Sequence, residues 1–442
     1  MSDSQPITDE PIASTPDPSL TDPSLTDPPV RPGRGWARDV VLYLTGQSLS
    51  LFGSAVVGYA IIWYVTLKTG SSGQYALLVI MSSLALAVTI IPGGILADRH
   101  WRKALMIGAD AAVAVVTAIL AILMLNGFES LGLIAVMLAL RGLGGGIQMP
   151  SVSAALPQIA PTDRLLRVNA INQALQAVIQ VAAPGLAAVL LVYWPLGWIL
   201  MVDVTTAALG ITITVFIRIP RLERDPAAPA PEGLGGYIAH VGQAVGYALR
   251  IPGLRRGFWV AVLLLTVVVP FSEMTPVFVV RLYGSQQWML AAVEIAWSAG
   301  MVVGGLAMAA WGGWRNRMTM FMLAAIVLAG ATAAMGFMPT LWWFVAIMVV
   351  GGMALPMMNT PLTTAIQELI PEAMMGRVLS FMTLANAVCA PLGLAILGPL
   401  GDHWPIAWMA LVCGLIGLVV LLGLVGRGGP GSKLYAEGAQ QP

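Results

Sequence analysis

Residues 93–106 read "GGILADRHWRKALM" and gather five ionisable side chains between two long apolar runs. A charged loop between apolar runs is typical of two membrane-spanning helices that meet at one face of a bilayer. The composition of the whole chain agrees, because 58% of its 442 residues are hydrophobic and 10% are charged. About a quarter of the residues of a soluble domain are charged. The sequence therefore predicts a protein whose solvent is lipid.

Apolar runs long enough to cross a membrane recur along the chain. A bilayer core about 30 Å thick needs roughly 20 apolar residues in each spanning helix. Runs of this kind lie at residues 39–67, 73–97, 104–125, 130–153, 165–192, 196–217, 256–280, 288–311, 317–338, 341–364, 376–400 and 405–426. We predict an all-α membrane protein with twelve transmembrane helices.

The basic residues predict the orientation of these helices. Under this topology, all but three of the 22 Lys and Arg residues fall on one side of the membrane. Lys68 and Arg281 fall on the other side, and Arg141 lies inside a span. Lys and Arg concentrate in cytoplasmic loops, and residues 1–37 lack the apolar core of a signal peptide. We predict a multi-pass protein of the cytoplasmic (inner) membrane with both termini in the cytoplasm.

Composition divides the chain into five parts. Residues 1–37 are rich in Pro, Asp, Ser and Thr, which predicts a disordered cytoplasmic tail. A six-helix bundle is predicted over 38–217 and a second over 256–427. The cytoplasmic linker, 218–255, contains either a short helix on the membrane surface or a connector that packs against the bundle. A cytoplasmic tail, 428–442, ends the chain.

The two bundles resemble each other in sequence. "IAPTDRLLRV" (159–168) and "LIPEAMMGRV" (369–378) share a Pro followed, six residues later, by Arg-Val, at an offset of 210 residues. Chance similarity between helices rich in Ala, Leu and Gly is the alternative. Two parallel, pseudo-symmetric six-helix repeats are the expected plan, which suits rocking about a site near the middle of the membrane.

Several classes of function lack the residues that they need. The net charge is +1, so no basic face is available to bind nucleic acid. The three histidines lie in loops, and the HExxH, GxSxG and GxxxxGK[ST] motifs are absent. We therefore predict that the protein is not an enzyme and uses no metal or cofactor. An ion gradient is the energy source that remains.

The opening stretch resembles the signature loop of the major facilitator superfamily, Gly-x-Leu-Ala-Asp-Arg-x-Gly-Arg-Lys. Trp101 stands where that pattern has Gly, and the matching positions are Gly94, Leu96, Ala97, Asp98, Arg99, Arg102 and Lys103. We expect Gly94 to allow a close helix approach and Asp98 to bridge to the basic residues, as a latch on a cytoplasmic gate. The alternative is that the charges only set the topology.

Longer segments are similar to the macrolide-efflux branch of that superfamily, which is related to proton-coupled drug and siderophore exporters. These segments are "GQSLSLFGSAVVGYAIIWYVTLKTGSS", "LPQIAPTDRLLRVNAINQALQAV" and "IQELIPEAMMGRVLSFMTLANAVCAPLGLAILGPLGD". The resemblance implies export of a small-molecule substrate by alternating access, coupled to proton entry. We expect the protein to work as a monomer in the lipid bilayer.

Arg141 lies in the middle of the fourth span, where an ionised group needs a partner or water. With Gly145, it is similar to the helix-4 motif of drug/proton antiporters, which implies that Arg141 modulates the protonation of a neighbouring acid. Asp203 lies at a similar depth in the sixth span and is a candidate partner. A static ion pair is the alternative for both residues.

Other acids lie within predicted spans. Glu273 is flanked by Pro270 and Pro276, which predict a kinked helix lining a cavity, so Glu273 is a candidate proton or cation site. Packing alone would also explain the kink. Asp110 lies about 10 Å along helix 3 from Lys103, which favours a place in the gate network. Glu294 is a weaker candidate near the end of its span.

Polar and flexible side chains within the spans are candidates for the substrate cavity. The fifth span places Asn and Gln residues three and four apart, on one helix face. Hydrogen bonding between helices, or membrane filler for the methionines, is the alternative. The cavity candidates are Gln47, Asn172, Gln176, Met357 and Asn386.

The sequence therefore predicts a secondary active exporter of amphipathic small molecules, macrolide-like or multiple drugs, driven by proton antiport. A siderophore or secondary-metabolite exporter is the alternative within the same class. A membrane receptor or scaffold that does not transport is the alternative from another class, and it would not require ionisable residues within the spans.

Overall fold

The computed structural model describes residues 35–219, 242–243, 245–314, 316–370 and 372–426. Within these ranges, twelve helices are long and apolar enough to cross a membrane, which confirms the predicted fold class. The predicted tails before residue 35 and after residue 426, and most of the predicted linker, lie outside the described residues. Residues 245–250 of the linker are helical, and Ala248 is buried against the second half of the chain.

The transmembrane helices are numbered in chain order. The seventh, α7, is made of four segments in series: Pro252–Leu263, a π-helical segment Leu264–Val268, Val269–Glu273 and Thr275–Leu282. The others are α1 Trp36–Thr69, α2 Ser72–Arg99, α3 Arg102–Leu125, α4 Leu131–Ile159, α5 Thr162–Tyr193, α6 Leu196–Val215, α8 Gln287–Trp311, α9 Arg317–Met335, α10 Leu341–Leu369, α11 Glu372–His403 and α12 Ile406–Gly426.

The helix boundaries repeat between the two halves. Both ends of α4 lie 210 residues before the corresponding ends of α10, and both ends of α5 lie 210 residues before those of α11. The starts of α6 and α12 keep the same separation. The offset read from the two loop motifs is therefore the offset of the helices themselves, as expected for two pseudo-symmetric bundles.

Glycines let neighbouring helices touch through their backbones. A Cβ atom on Gly142 of α4 would overlap the carbonyl oxygen of Ser82 on α2. In the second half, a Cβ atom on Gly352 of α10 would overlap the carbonyl oxygen of Trp297 on α8. Gly142 and Gly352 are 210 residues apart, so both repeats use the same close approach. Small residues at helix crossings are the usual means of packing helices in lipid, where the hydrophobic effect does not hold them together.

The prediction that Gly94 provides a close helix approach is wrong for this conformation. A Cβ atom on Gly94 would meet no described atom within 4 Å. The neighbouring Gly93 makes the contact instead, because its Cβ atom would overlap the backbone of Gly146 and Ile147 on α4. Adjacent residues of a helix point about 100° apart, so a motif in sequence does not tell which of two glycines faces the neighbour.

The two halves meet along α2 and α11 and along α5 and α8. We call the end at which the odd-numbered helices finish the basic-poor end, since Lys68 and Arg281 are the Lys and Arg residues described there. The opposite end is the basic-rich end. Hydrogen bonds that join described residues of the two halves lie between the middle of the bundle and the basic-poor end, from Ser298–Gln180 to Ser72–Asp402.

The two adjacent glycines of α2 allow a direct test of this packing. We expect Gly93→Ala to destabilise the folded chain by about 1–3 kcal/mol, because α4 cannot make room without moving its backbone. Gly94→Ala should be neutral or slightly stabilising, since alanine favours a helix and the space is open. Melting temperatures of both purified variants in detergent check this. Equal melting temperatures for the two variants would contradict the close approach at Gly93.

Candidate functional site

A buried ion pair joins four helices of the first half. The Nη1 atom of Arg141 on α4 bonds to Oδ2 of Asp203 on α6, and the two side chains are 10% and 0% exposed. The Ser54 hydroxyl on α1 donates to Oδ1 of Asp203 at 2.7 Å. The Thr117 hydroxyl on α3 accepts from Arg141 at 2.7 Å and lies 3.3 Å from Asp203 Oδ2. The structure therefore brings together the two residues that the sequence suggested as partners.

Sequence reasoning missed Ser54 and Thr117, which complete the coordination of this pair. A single hydroxyl within an apolar helix commonly bonds to its own backbone, so the residue type alone carries little signal. Both hydroxyls here also reach the ion pair, so the charges are satisfied from α1 and α3 as well as from α4 and α6. Buried polar groups that are fully hydrogen-bonded fix one arrangement of the helices around them.

Asp110 is not part of a network with Lys103, contrary to the expectation from helix rise. Lys103 donates to the backbone carbonyls of Val215, at 2.7 Å, and Ile217, at 2.9 Å, at the end of α6. Asp110 is buried and accepts from Ser50 at 3.1 Å and from Gln148 at 2.5 Å. The two side chains therefore point to different neighbours, although they lie on the same helix.

Arg102 and Lys103 of the signature loop bind backbone carbonyls of helices in their own half. Arg102 donates to the carbonyl of Ala154 on α4 at 2.6 Å and to that of Ala97 on α2 at 3.2 Å. Carbonyl groups at a helix C-terminus carry partial negative charge, which attracts cations. The side chains of Asp98 and Arg99 lie outside the described set, so their predicted latch contacts stay a prediction.

The two prolines around Glu273 interrupt α7, as the sequence predicted. Pro270 cannot donate to the carbonyl of Thr266, one turn earlier, and Gly393 of α11 packs directly against that carbonyl. The helix breaks again at Met274. The Tyr75 hydroxyl on α2 donates to the backbone carbonyl of Glu273, which links the two halves. The broken helix thus presents the Glu273 carbonyl to α2, at the contact between α7 and the first half.

Two carboxyl groups of the second half, those of Glu273 and Glu294, lie within its transmembrane helices. The Glu273 side chain is half-buried, and so is Glu294 on α8. Their charges are close enough to interact. The arrangement places two acids without a described basic partner where the two halves meet.

The polar face of α5 is largely exposed. Asn169, Gln173, Gln176 and Gln180 are exposed and Asn172 is half-buried. The amides from Gln176 towards Asn169 approach the basic-rich end, beyond the Ser298–Gln180 contact between the halves. This face is therefore not covered by the neighbouring helices.

The other cavity candidates have different surroundings. Gln47 on α1 is half-buried, and its Nε2 atom is buried with no hydrogen-bond partner among the described residues. Met357 on α10 is half-buried. Asn386 on α11 is exposed, and its amide donates to the Met382 carbonyl of the same helix at 2.9 Å. Among the described residues, no hydrogen bond joins these three side chains to one another.

A cluster that the sequence did not predict closes the basic-poor end, and we call it the interhalf clamp. Asp402, near the end of α11, accepts from the backbone amides of Ser72 at 2.7 Å and Gly73 at 2.9 Å, at the start of α2. Arg281 of α7 donates to Asp402 at 2.6 Å and to the Gly70 carbonyl at 2.7 Å. A carboxylate at a helix N-terminus is stabilised by the free amides there, so the second half caps a helix of the first.

A second ion pair at the same end stays within one half. Lys68 bonds to Glu129, and both side chains are substantially exposed, at 57% and 44%. The hydrogen bond from Lys68 holds the pKa of Glu129 below its usual range. This pair offers a matched control for the interhalf clamp, because removing it leaves the contacts between the halves unchanged.

Comparison with known proteins identifies relatives over most of the chain. A family profile described as Major Facilitator Superfamily matches residues 43–394. Macrolide efflux protein A of Streptococcus pyogenes is 26% identical over 394 residues, which cover 86% of this chain and 96% of that protein. The enterobactin exporter EntS of Citrobacter koseri is 25% identical over 386 residues, which cover 85% of this chain and 89% of that protein.

Solved structures share the fold. A bacterial homolog to the human lysosomal transporter Spinster, in an inward-facing and unoccupied conformation, matches with a TM-score of 0.65 at 14% sequence identity. The match covers 92% of this chain and 99% of that one. At this identity, the likeness establishes a common architecture of helices.

Removing one partner of the Arg141–Asp203 pair leaves the other charge buried without a counter-ion. We expect Arg141→Leu or Asp203→Leu alone to lower the free energy of unfolding by about 3–5 kcal/mol, and the double variant to lower it by less than either single change. Melting temperatures of the purified proteins in detergent check this. A double variant that melts at the sum of the two single losses would contradict the pairing.

Breaking the interhalf clamp should separate the halves at the basic-poor end. Spin labels at Trp194 and Phe337, both exposed at that end, report the distance in a chain with Cys389 and Cys413 replaced by alanine. We expect Asp402→Ala to shift the distance distribution to longer values. The control, Glu129→Ala, should leave it unchanged. A distribution for Asp402→Ala equal to the parent's would mean that the clamp does not hold the halves together.

Proposed function

We propose that this chain, which belongs to the major facilitator superfamily, exports amphipathic small molecules, macrolide-like compounds first among them, in exchange for protons. The chain is a multi-pass membrane protein and a secondary transporter, and the family is one of transporters rather than enzymes. The observation that carries export is the similarity, over nearly their whole length, to macrolide efflux protein A and to an enterobactin exporter.

The interhalf clamp, at the basic-poor end, supports a side of the membrane from which the substrate enters. We propose that the basic-rich end and both termini face the cytoplasm, because Lys and Arg concentrate in cytoplasmic loops. The interhalf clamp would then close the outside. The polar face of α5 would be open to the cytoplasm, where a compound to be exported is collected. Alternating access requires the halves to part at the clamp and to close at the opposite end.

Ionisable groups within the spans support coupling to protons. Glu273 lies at the break of α7, where the halves meet, so a change in their contact would change its surroundings. Arg141 and Asp203 would respond to movements of the four helices that they join. We propose Glu273 as the group that takes up and releases a proton during each cycle, with Arg141 and Asp203 as a pair that adjusts to it.

Two other functions are distinguishable from this one. A siderophore exporter is favoured by the similarity to the enterobactin exporter. It differs only in the compound that fills the cavity, because fold does not determine substrate. A receptor or scaffold would work without ionisable groups within the membrane. The Arg141→Leu and Asp203→Leu double variant should then retain its activity.

Proton release from everted vesicles tests the proposal. The vesicles contain a pH-sensitive dye, and macrolides, tetracyclines, lipophilic cations and catecholate siderophores are added in turn. We expect one class to release protons, and Glu273→Gln to abolish that response, because the amide cannot carry a proton.

The matched control is Glu129→Gln, which removes an exposed acid outside the spans and should leave the response unchanged. A response that persists in Glu273→Gln would exclude Glu273 as the coupling group. A folded parent that is silent with every compound would count against proton-coupled export of these classes.

A further inference from the structure

Asp110 is a buried acid that the proposed exchange through Glu273 does not use. Its side chain is 6% exposed, in the middle of contacts from α1, α3 and α4. Its two hydrogen-bond donors, the Ser50 hydroxyl at 3.1 Å and the Gln148 amide at 2.5 Å, are both neutral. A buried carboxyl group without a counter-ion takes up a proton more readily than one that is paired.

The charged groups on the packed helices have other partners. Helix α3 packs against α4 and against α6, and the ionisable residues of α4 and α6 are Arg141 and Asp203, which bond to each other. On α3 itself, Arg102 and Lys103 donate to backbone carbonyls at the basic-rich end. These partners leave no described basic group bonded to the Asp110 carboxyl.

The titratable groups on α1 and α2, the other helices near Asp110, have the following positions and partners. Lys68 on α1 bonds to Glu129 at the opposite end, and the Tyr43 hydroxyl donates to the Val152 carbonyl at 2.6 Å. Tyr59 and Tyr64 lie further along α1, and Arg38 and Asp39 at its start. On α2, Tyr75 bonds to α7, and the side chains of Asp98 and Arg99 are not described.

The charges held away from the helix ends in α1, α3, α4 and α6 do not balance when Asp110 and Asp203 are both ionised. These helices hold two carboxyl groups and one guanidinium there, and Arg141 is bonded to Asp203. An ionised Asp110 adds an uncompensated negative charge within a few helical turns. A proton on Asp110 removes that charge and leaves the Arg141–Asp203 pair intact.

The two neighbours of Asp110 fit both of its protonation states. A Ser hydroxyl donates to a carboxylate and, after rotation, accepts from a carboxylic acid. A Gln amide offers its NH₂ group to the carboxylate or its oxygen to the acid. Backbone amides, such as those that hold Asp402, can only donate. The Asp110 site is therefore suited to gaining and losing a proton, whereas the Asp402 site favours the ionised form.

Asp110 and its partner Gln148 are displaced from the Arg141–Asp203 pair along the helix axes. Asp110 precedes Thr117 by seven residues on α3, and Gln148 follows Arg141 by seven on α4, a distance of about 10 Å along each helix. Both displacements are towards the basic-rich end. Asp110 thus lies between the Arg141–Asp203 pair and the end that we assign to the cytoplasm.

We propose that Asp110 is a second proton-carrying site, in the first half of the transporter, which exchanges its proton with water at the basic-rich end. In the step itself, an O–H bond of a hydronium ion in contact with the site breaks, an O–H bond to the Asp110 carboxylate forms and water is left; the reverse transfer returns the proton to water. The role in transport rests on the proposed proton exchange, but the protonation of Asp110 does not.

Infrared difference spectroscopy of the purified full-length chain tests protonation without a substrate. The carbonyl stretch of protonated carboxyl groups is followed as the pH is raised. We expect Asp110→Asn to remove one titrating carboxyl signal, because its amide oxygen still accepts from Ser50 and Gln148 but cannot titrate. Asp203→Asn should leave that signal in place, since it does not alter the Asp110 carboxyl group. An unchanged signal in Asp110→Asn overturns the proposal, and so does a signal that never titrates.

A measurement on the parent chain keeps the test decisive if Asp110→Asn fails to fold. Dicyclohexylcarbodiimide reacts with protonated carboxyl groups in apolar sites, and mass spectrometry locates the adduct. We expect labelling of Asp110 that falls as the pH is raised. A parent chain that is labelled at other acids but not at Asp110 at any pH overturns the proposal.

Proton release from everted vesicles then tests the role in transport. If Asp110 carries a second proton only in cycles in which Glu273 also exchanges one, Asp110→Asn should release about half as many protons per exported molecule as the parent. Substrate exchange without a gradient should persist. An unchanged proton yield overturns the role of Asp110 as a carrier. A parent that titrates at Asp110 but exports nothing overturns the proposed function and leaves the protonation site standing.

Discussion

A guanidinium group within the hydrocarbon layer must be neutralised, and the arrangement of the first half follows from this requirement. Arg141 obtains its counter-ion from α6, and the remaining hydrogen bonds come from α1 and α3. Because the pair is buried and bonded to all four helices, they can move apart only by exposing a charge to an apolar environment. The first half therefore behaves as one body, and movement is left to the contact between the halves.

That contact combines close backbone packing with a few polar bonds. Gly398 and Gly401 of α11 let the second half approach α2, while Tyr75 and Asp402 bond across the boundary. The polar bonds are few and lie on one side of the bundle, so they can break without loss of the core of either half. This is the mechanical property that a transporter with alternating access needs.

The sequence predicts depth in the membrane well and rotation about the helix axis poorly. Hydropathy placed twelve helices, and the 210-residue offset of two loops predicted the register of the repeat. Arg141 and Asp203 were matched because equal depth on neighbouring helices is sufficient to pair them. Asp110 and Lys103 were wrongly joined, since distance along a helix does not specify the direction of a side chain. For the same reason, the sequence did not show that Gly93, rather than Gly94, contacts α4.

The sequence did not predict the surface contacts between segments that are distant along the chain. Asp402 and Arg281 look like ordinary loop charges, because their shared partner is the backbone at the start of α2, over two hundred residues away from either. The residue types at the start of α2 do not indicate that its backbone amides bind a distant carboxylate. Only the folded arrangement of α2, α7 and α11 reveals that these charges act together.

The location of the interhalf clamp gives the two ion pairs different sensitivity to the surrounding solution. Arg281 and Asp402 are 27% and 31% exposed, whereas Asp203 is wholly enclosed. Dissolved salt screens exposed charges over about 8–10 Å and reaches buried ones far less. The ionic strength of the medium at that face therefore adjusts how often the halves part, and it leaves the internal pair of the first half untouched.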